Sequence, residues 1–332
     1  MTNNALAFRQ GITEAERVAL LERPAQEKVV NLIIDTDAGN EVDDAYAVTY
    51  ALLSPERLNV QAIYAAPHAT GKDRNTAANV EKNYEEIQKI LTALGKPYSD
   101  TPIYRGSESF LSEHDGPVQS PAAEDLIRRA KEATETLYVL AIGAGTNIAS
   151  AILMEPAIIS RISLIWVCGM PYHWSNVNDY NAYADWRATK TIIESGVALT
   201  LLPSATVTDT FVLSTADIDQ RVAPKGAIGK YLSDLYYSQQ PKEELVRILC
   251  DVAGVAYFTS PYCIHTHFEH APRIRLDPAV KKNPGEYFDK NLRYAHAMDT
   301  HLMKFAHLAS DSYSIYMDFW EKLDAHAKKN KE

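Results

Sequence analysis

Short apolar runs alternate with segments of helical spacing along much of the chain. The run from Val29 to Ile34 is rich in β-branched residues and predicts a buried strand that stops at Asp35. Residues 45–53 have helical composition, and residues 58–65 return to the composition of a strand. This order of strand, loop, helix and strand is the building block of a parallel sheet.

The same alternation continues further along the chain. Strands are predicted at residues 136–142, 162–168 and 197–202. Helices are predicted at residues 79–94, 122–133 and 147–153, and a further helix is predicted to end with residues 191–195. From Thr215 onward the composition is mostly helical, with an interruption around residues 261–285. These patterns predict an α/β fold with an open, mostly parallel sheet flanked by helices and a helical C-terminal portion.

No internal repeat and no low-complexity linker divides the chain, so one domain over residues 1–332 is the expected organisation. The pattern from Thr13 to Glu16 is typical of a capping box and predicts a short helix that ends near Pro24. Residues 1–28 are therefore expected to form an N-terminal helical arm. Charged residues interrupt this arm, unlike a secretory signal, so the expected location is the cytoplasm.

Composition and charge exclude several classes of function. The 332 residues include 33 Lys and Arg against 43 Asp and Glu, a formal charge of −10, whereas proteins that coat nucleic acids need clustered Lys and Arg. The three scattered cysteines exclude a disulfide scaffold and a cysteine-rich zinc module. No segment reaches the roughly 18 unbroken apolar residues of a membrane span. We therefore expect neither a nucleic acid nor a membrane as a partner.

The first predicted strand is followed at once by an acidic segment. Four aspartates and one glutamate lie within ten residues there: Asp35, Asp37, Glu41, Asp43 and Asp44. Ligands of open α/β sheets bind beyond the carboxyl ends of the strands, and carboxylates at this density repel one another unless a cation neutralises them. Because all candidate ligands are hard oxygens, the pattern indicates Ca²⁺ or Mg²⁺. The alternative is a solvated acidic loop in which Asp43 caps the next helix.

Two further loops follow predicted strands. Small residues in the segment 143–147 allow the backbone to approach a ligand closely, and a carbonyl there could bind a cation. The alternative is a tight turn in which Thr146 or Asn147 caps a helix. The polar and aromatic segment 169–181 is suited to a hydroxylated small molecule, or it is a surface loop with Asx turns.

Four segments together resemble the nucleoside hydrolases, the inosine–uridine-preferring hydrolase superfamily. They are the acidic segment at 34–45, the turn at 143–149, the segment 179–185 and the block 250–256, and they occur in the family's order. The resemblance implies a nucleoside-hydrolase-like fold and a nucleoside-like small-molecule substrate. It implies calcium-dependent hydrolysis of the N-glycosidic bond of a ribonucleoside or related N-riboside, which yields free base and ribose. It also implies a homo-oligomer.

The resemblance assigns roles to single residues. Asp37 would be a calcium ligand and also the base that takes a proton from the attacking water. The other ligands would be Asp44, the carbonyl of Thr146 and the carboxylate of Asp251. Residues that hold the ribose would be Asp43, Asn176, Asp179 and Asn181, supported from behind by Asp35 and Asn40. Cleavage passes through an oxocarbenium-like state, whose positive charge a carboxylate-rich pocket stabilises.

Cys250 departs from the family pattern, because many members have a histidine there that protonates the leaving base. A thiol of ordinary pKa is a poor proton donor to a heterocycle. Cys250, Trp174 and Trp186 are therefore candidates for an altered base pocket, although both rings also suit ordinary packing. The departure keeps open a different substrate, or a protein that binds a ribosyl ligand without turnover. The Asp-x-Asp after the first strand also resembles phosphohydrolases of the haloacid-dehalogenase type, a further alternative.

Three histidines, His265, His267 and His270, lie close together beyond the last of these blocks. Alternation along a strand would point His265 and His267 the same way. A zinc site is one interpretation, although no known zinc motif accompanies these residues. A role near the base pocket is the other, because the segment follows the helix expected after Asp251.

Overall fold

The computed structural model describes residues 11–70, 73–174, 176–177, 179–239, 244–277 and 291–329. The helices of this part are α1 (Glu14–Leu21), α2 (Val42–Leu52), α3 (Thr76–Ala93), α4 (Pro121–Glu132), α5 (Thr146–Met154), α6 (Tyr180–Ala184), α7 (Trp186–Glu194), α8 (Thr215–Asp217), α9 (Gly226–Gln239), α10 (Val252–Thr259) and α11 (Ser312–Lys329). The strands are β1 (Val30–Thr36), β2 (Leu58–Ala65), β3 (Ile103–Arg105), β4 (Leu137–Ala141), β5 (Ile162–Val167), β6 (Ala198–Leu202), β7 (Val212–Ser214), β8 (Val246–Ile248), β9 (Ile264–His270), β10 (Arg273–Asp277), β11 (Asn291–Ala295) and β12 (Leu302–Ala309). None of these helices is both long and apolar enough to cross a membrane.

Within the described residues, eight strands form one sheet in the order β3-β2-β1-β4-β5-β6-β12-β9. Neighbouring strands in it are parallel, except that β9 runs antiparallel to β12. Two antiparallel pairs, β10 with β11 and β7 with β8, lie outside this sheet. The predicted open, mostly parallel sheet is confirmed, and β2 has the predicted bounds.

The sheet changes its direction of growth at β1, because β1 pairs with β2 on one side and with β4 on the other. The chain adds β2 and β3 in one direction and β4, β5 and β6 in the opposite direction. Open α/β sheets bind ligands at such a switch point, outside the carboxyl ends of the strands. The acidic segment that follows β1 therefore lies where a site is expected.

Apolar side chains cover both faces of the sheet. Alternate residues of a strand point to opposite faces, so Leu32 and Ile34 pack with α2 and α10 on one face. Ile33 packs with α4, α5 and α7 on the other face. Burial on both faces explains why β1 appears in the sequence as a continuous apolar run.

The C-terminal portion contains helices α8, α9, α10 and α11, as predicted, and also strands that the sequence pattern did not predict. β12 joins the sheet beside β6, and β9 pairs with β12 as the edge strand. In β9 only Ile264 is fully buried, so this strand lacks the apolar run that marks a central strand. Residues 278–285 of the predicted interruption lie outside the described residues.

The helix predicted after Thr13 is present as α1 and ends at Leu21. The Glu16 N–H donates to the Thr13 hydroxyl at 3.2 Å, and the Thr13 N–H donates to the Glu16 carboxylate at 2.7 Å, which completes the capping box. Arg17 Nε donates to the Gly196 carbonyl at 2.7 Å, so α1 is fastened near the start of β6. Residues 1–10 of the predicted arm lie outside the described residues.

Candidate active site

The acidic segment forms a short connection between β1 and α2. Asp37 directly follows β1, and Asp43 and Asp44 lie in the first turn of α2. The Gly39 N–H donates to Asn83 Oδ1 at 2.8 Å, which fastens the connection to α3. A Cβ at position 39 would lie 2.7 Å from that oxygen, so the close approach requires glycine.

Three carboxylates meet at the start of α2. One oxygen each of Asp43, Asp44 and Asp251 lies within 4.8 Å of the other two. Asp251 immediately precedes α10, so the cluster joins two parts of the chain that are far apart in sequence. All three side chains are buried. Carboxylates in this arrangement repel one another, and they are the donor set that a hard divalent cation binds.

Burial and mutual repulsion disfavour the charged form of these carboxylates. Burial, together with Asp43 and Glu41, raises the pKa of Asp37 to about 8. Burial and Glu41 raise the pKa of Asp43 to about 6. The pKa of Asp44 lies well above its usual range because of burial and its two acidic neighbours, and burial and Asp43 act in the same direction on the pKa of Asp251. Full ionisation of the cluster therefore requires added positive charge, which fits Ca²⁺ or Mg²⁺.

Two neighbouring side chains orient carboxylates of the cluster. Asn40 Nδ2 donates to Asp37 Oδ2 at 3.1 Å from within the same loop. The Thr36 hydroxyl donates to Asp44 Oδ1. Both bonds favour the ionised carboxylate and so oppose the effect of burial. The family resemblance implied a supporting role for Asn40 and none for Thr36, which reaches Asp44 only through the turn between β1 and α2.

Asp35 lies behind the cluster on β1 and is fully buried. Its Oδ1 accepts a hydrogen bond from Asn147 Nδ2 at 2.8 Å, whereas its Oδ2 has no hydrogen-bond partner among the described residues. Burial raises the pKa of Asp35 to about 7. The Ser107 N–H donates to Asn147 Oδ1 at 2.8 Å and thereby sets the orientation of that amide.

The turn after β4 approaches Asp37 closely. A Cβ at Gly143 would lie 2.8 Å from Asp37 Oδ1, so the missing side chain lets the turn pass against this carboxylate. Thr146 begins α5, and its hydroxyl donates to Asp185 Oδ2 at 2.7 Å. Because the hydroxyl is engaged with Asp185, the backbone carbonyl is the oxygen of Thr146 that a cation could use.

Asp179 and Asn181 join the loop after β5 to the ends of the strands. Asn181 Nδ2 donates to the carbonyls of Ile142 at 3.1 Å and Val167 at 2.9 Å, so its NH₂ group, and not its amide oxygen, makes both bonds. Asp179 caps α6, and its carboxylate accepts the N–H groups of Asn181, Ala182 and Gly169. Burial nevertheless raises the pKa of Asp179 to about 7. Both carboxylate oxygens of Asp179 already accept hydrogen bonds from backbone N–H groups. Its contact with ribose stays a prediction.

The residues predicted for the base pocket have different surroundings. Burial, followed by the charge of Asp43, raises the pKa of the Cys250 thiol to about 12, so this group stays a neutral thiol at neutral pH. Trp174 is 40% exposed on the loop after β5, and Asn176 of the same loop is partly buried. Trp186 packs against the core on the face of α5 and α7, which favours the packing interpretation of that ring.

Three residues near the Asp37 loop were missed by sequence reasoning. Asn83, on α3, donates to a carbonyl just after β2 at 2.7 Å and lies 2.9 Å from His68 Nδ1. The Tyr180 hydroxyl donates to the Ala69 carbonyl at 3.0 Å, and burial and then the charge of Asp37 raise the pKa of Tyr180. His68 follows a predicted strand that stops at residue 65. It could have been found because ligands of open α/β sheets bind beyond the carboxyl ends of the strands.

Comparisons with known proteins identify a family that this sequence matches. The sequence matches the model of the inosine-uridine preferring nucleoside hydrolases over residues 32–304. The pyrimidine-specific ribonucleoside hydrolase RihA of Salmonella paratyphi A is 26% identical over 240 residues, which cover 64% of this chain and 73% of that protein. The probable uridine nucleosidase 2 of Arabidopsis thaliana is 25% identical over 226 residues, 62% of this chain and 69% of that protein.

Solved structures share the fold. A plant nucleoside hydrolase superposes with a TM-score of 0.67 at 20% identity, covering 90% of this chain and 100% of that chain. The purine-preferring ribonucleoside hydrolase from Gardnerella vaginalis gives a TM-score of 0.68 at 20% identity, with 90% and 99% covered. At this identity the likeness establishes the fold alone, but the family match spans most of the chain and every segment of the acidic cluster. The chain therefore belongs to the inosine-uridine preferring nucleoside hydrolase family.

Proposed function

We propose that this chain hydrolyses the N-glycosidic bond of a ribonucleoside or related N-riboside and releases free base and ribose. The observation that carries the proposal is the buried cluster of Asp43, Asp44 and Asp251, with Asp37 beside it, at the switch point of the sheet. Positive charge develops on the sugar as the bond to the base breaks. Carboxylates that are already in place stabilise this charge without reorganisation during the reaction. The relatives named above include a pyrimidine-specific ribonucleoside hydrolase and a probable uridine nucleosidase, which supports the same chemistry.

The donor set fits a hard divalent cation, and we propose Ca²⁺. Asp37, Asp44 and Asp251 would hold the ion together with the carbonyl of Thr146, because calcium takes six to eight oxygen ligands. Asp43 belongs to the same cluster and would lie beside the ion, where it can bind a sugar hydroxyl. A bound Ca²⁺ supplies the positive charge that favours ionised carboxylates and a more acidic, oriented water.

Asp37 is proposed as the base that takes the proton from the attacking water. Its carboxylate is held by Asn40 at 3.1 Å and has a pKa raised to about 8 by burial and Asp43. This raised pKa describes the site without a cation; a bound Ca²⁺ would favour the ionised carboxylate, which is the form that accepts a proton. Direct attack by water inverts the configuration at the anomeric carbon.

The ribose is proposed to bind through Asp43, Asn176, Asp179 and Asn181. The amide oxygen of Asn181 is the atom proposed for this contact, because its NH₂ group already donates to carbonyls at the ends of β4 and β5. Asp179 holds the loop after β5 through its bonds to backbone N–H groups, in addition to the sugar contact proposed for it. Asp35 and Asn40 are proposed to support the acidic segment from behind.

Binding of a ribosyl ligand without turnover is a second candidate, and the surroundings of Cys250 favour it. A buried thiol whose pKa is raised to about 12 is a weak proton donor to a leaving base. The two candidates share the cation and sugar sites and differ only in the cleavage of the bond to the base. Catalysis and binding must therefore be measured separately.

Release of base from a panel of purine and pyrimidine ribonucleosides, followed by chromatography in buffer with CaCl₂, tests the function. We expect release by the wild type and a loss of about 10²–10⁴-fold in Asp37→Asn, the range of a general base. Asp234→Asn is the matched control, because Asp234 is an exposed residue of α9 paired with Lys230. Calorimetric binding of ribosides without any base release would support the second candidate, and neither release nor binding would overturn both.

We further propose that the chain is a single domain, forms a homo-oligomer and acts in the cytoplasm. The first proposal is supported by two apolar cores that pack on opposite faces of one sheet. Light scattering after size exclusion measures the oligomeric state, and cell fractionation measures the location.

A further inference from the structure

His267 and His307 bring their Nδ1 atoms to 2.9 Å of each other on the outer strands of the sheet. His267 belongs to the edge strand β9, and His307 belongs to the neighbouring β12. The pairing of these strands shifts register between Ala306 and Leu308, so His307 is the extra residue of a bulge. A bulge re-aims the side chain that it carries, and here the ring of His307 meets the ring of His267.

Glu269 determines which nitrogen of His267 carries the proton. Its carboxylate lies 3.1 Å from His267 Nε2, two residues along β9 and on the same face. An ionised carboxylate can only accept a hydrogen bond, so Nε2 is the protonated nitrogen and the neutral ring presents an unprotonated Nδ1 to His307. A carboxylate bound to the outer nitrogen is the arrangement that orients metal-ligating histidines in proteins.

Two Nδ1 atoms at this distance require a proton or a cation between them. For a metal ion about 2.0–2.1 Å from each nitrogen, the angle between the two metal–nitrogen bonds would be about 90°. This is the angle between neighbouring ligands in tetragonal or octahedral coordination. Burial, followed by the nearby His267 and His265, lowers the pKa of His307. The neutral imidazole that results is the form that binds metal ions.

A cavity of about 210 Å³ opens beside the pair and is lined by His267, Glu269, His307, Tyr172, His173 and Thr206, among others. This volume holds several waters, which can complete the coordination of an ion. His173 lies in the loop after β5, which also contains Asn176. An ion at the pair would therefore face the loop to which a sugar contact is assigned.

We propose that His267 and His307 form a binding site for a divalent transition-metal ion, Ni²⁺ or Cu²⁺, with Glu269 as the residue that orients His267. The site shares no residue with the acidic cluster. Imidazole nitrogens select these ions, whereas the carboxylates and carbonyl of the acidic cluster suit Ca²⁺. His270 of the predicted histidine cluster is not part of the site, because it lies on the opposite face of β9 from His267 and does not line the cavity.

Calorimetric titration of the Ca²⁺-saturated protein with NiCl₂ tests the proposal. We expect one saturable ion per chain and at least tenfold weaker binding in His267→Ala and in His307→Ala. Glu269→Gln is expected to weaken binding by about 10–100-fold, the effect of losing an orienting group. His270→Ala is the matched control on the same strand and is expected to bind as the wild type does. With Cu²⁺, electron paramagnetic resonance should show coupling to two nitrogens.

Equal affinity of the wild type and both histidine variants would overturn the proposal. Absence of saturable binding in the millimolar range, or a Cu²⁺ spectrum without nitrogen coupling, would also overturn it. Thermal unfolding checks that each variant is folded. Should His307→Ala fail this check, His307→Gln keeps a polar side chain of similar size without the imidazole, and retained tight binding in it would equally contradict the proposal.

Discussion

The side-chain amide of Asn83 donates a hydrogen bond to Nδ1 of His68 at 2.9 Å. The direction follows because Asn83 Oδ1 accepts the Gly39 N–H, so the other terminal atom of the amide is the donor NH₂ group. His68 Nδ1 is therefore an acceptor, and the neutral ring carries its proton on Nε2. Burial keeps the ring neutral by lowering the pKa of His68 to about 4. One buried amide thus positions the Asp37 loop and sets the tautomer of a histidine beyond β2.

Replacement of Asn83 by leucine is expected to lower kcat/KM by at least tenfold, because the Asp37 loop loses its attachment to α3. The free energy of unfolding should also fall by about 1–3 kcal/mol, since the buried Ala66 carbonyl and His68 Nδ1 lose their donor. Asn75→Ala is the control for stability alone: it removes the N-cap of the same helix at a cost of about 1 kcal/mol. Base-release kinetics that fall equally in both variants would contradict a specific role for Asn83.

Replacement of Thr36 by valine removes the hydroxyl that donates to Asp44 and keeps the shape of the side chain. We expect the affinity for Ca²⁺ to fall about 10–100-fold, as for other groups that orient a metal ligand. Thr49→Val on α2 is the matched control, because Thr49 Oγ1 is buried without a partner in the described part of the chain. Its removal should leave Ca²⁺ affinity unchanged in calorimetry and should not destabilise the fold. Equal affinity of Thr36→Val and the wild type would remove Thr36 from the site.

Replacement of Asp37 by asparagine is expected to have opposite effects with and without the cation. In EDTA the variant should unfold at a higher temperature than the wild type, because a buried carboxylate with a raised pKa is replaced by a neutral amide. With saturating Ca²⁺ the order should reverse, since the wild type gains the binding free energy of the ion. Scanning calorimetry under both conditions measures the two orders. A variant that is less stable than the wild type in EDTA would show that the cluster is not repulsive.

The stability of the cation-free chain should fall as the pH rises towards neutrality. Burial raises the pKa of Asp35 to about 7, of Asp43 to about 6 and of Asp179 to about 7. An unfolded chain titrates its aspartates near about 3.9, so the folded state binds protons more tightly, and this contribution is complete below about pH 4. It is lost as the pH rises through about 6 to 7. We expect the Tm in EDTA to fall between about pH 5 and pH 8 and to fall less with Ca²⁺, and a rise in EDTA would contradict this assignment.

The sequence by itself determined the central strands and the position of the acidic segment. Leu32, Ile33 and Ile34 are buried on both faces of the sheet, and a strand in that environment must be continuously apolar, so its pattern is readable without a structure. The capping box at Thr13 is equally local, because its two hydrogen bonds join residues three positions apart. Clustered carboxylates after β1 indicated a cation for the same reason, since their repulsion follows from proximity along the chain.

The tertiary structure decided which distant groups meet. Asp251 joins Asp43 and Asp44 only because α10 packs against α2 on one face of the sheet. The bulge that turns His307 towards His267 depends on the pairing of β12 with the edge strand β9. The sequence of β9 lacks the apolar run from which a strand is predicted. Periodicity reports whether a residue is buried, whereas hydrogen bonds and close contacts between remote residues depend on how whole elements pack. For that reason the acidic segment by itself indicated a cation site, the family resemblance named Asp251 as a further ligand, and only the packing of α10 on α2 shows the contact.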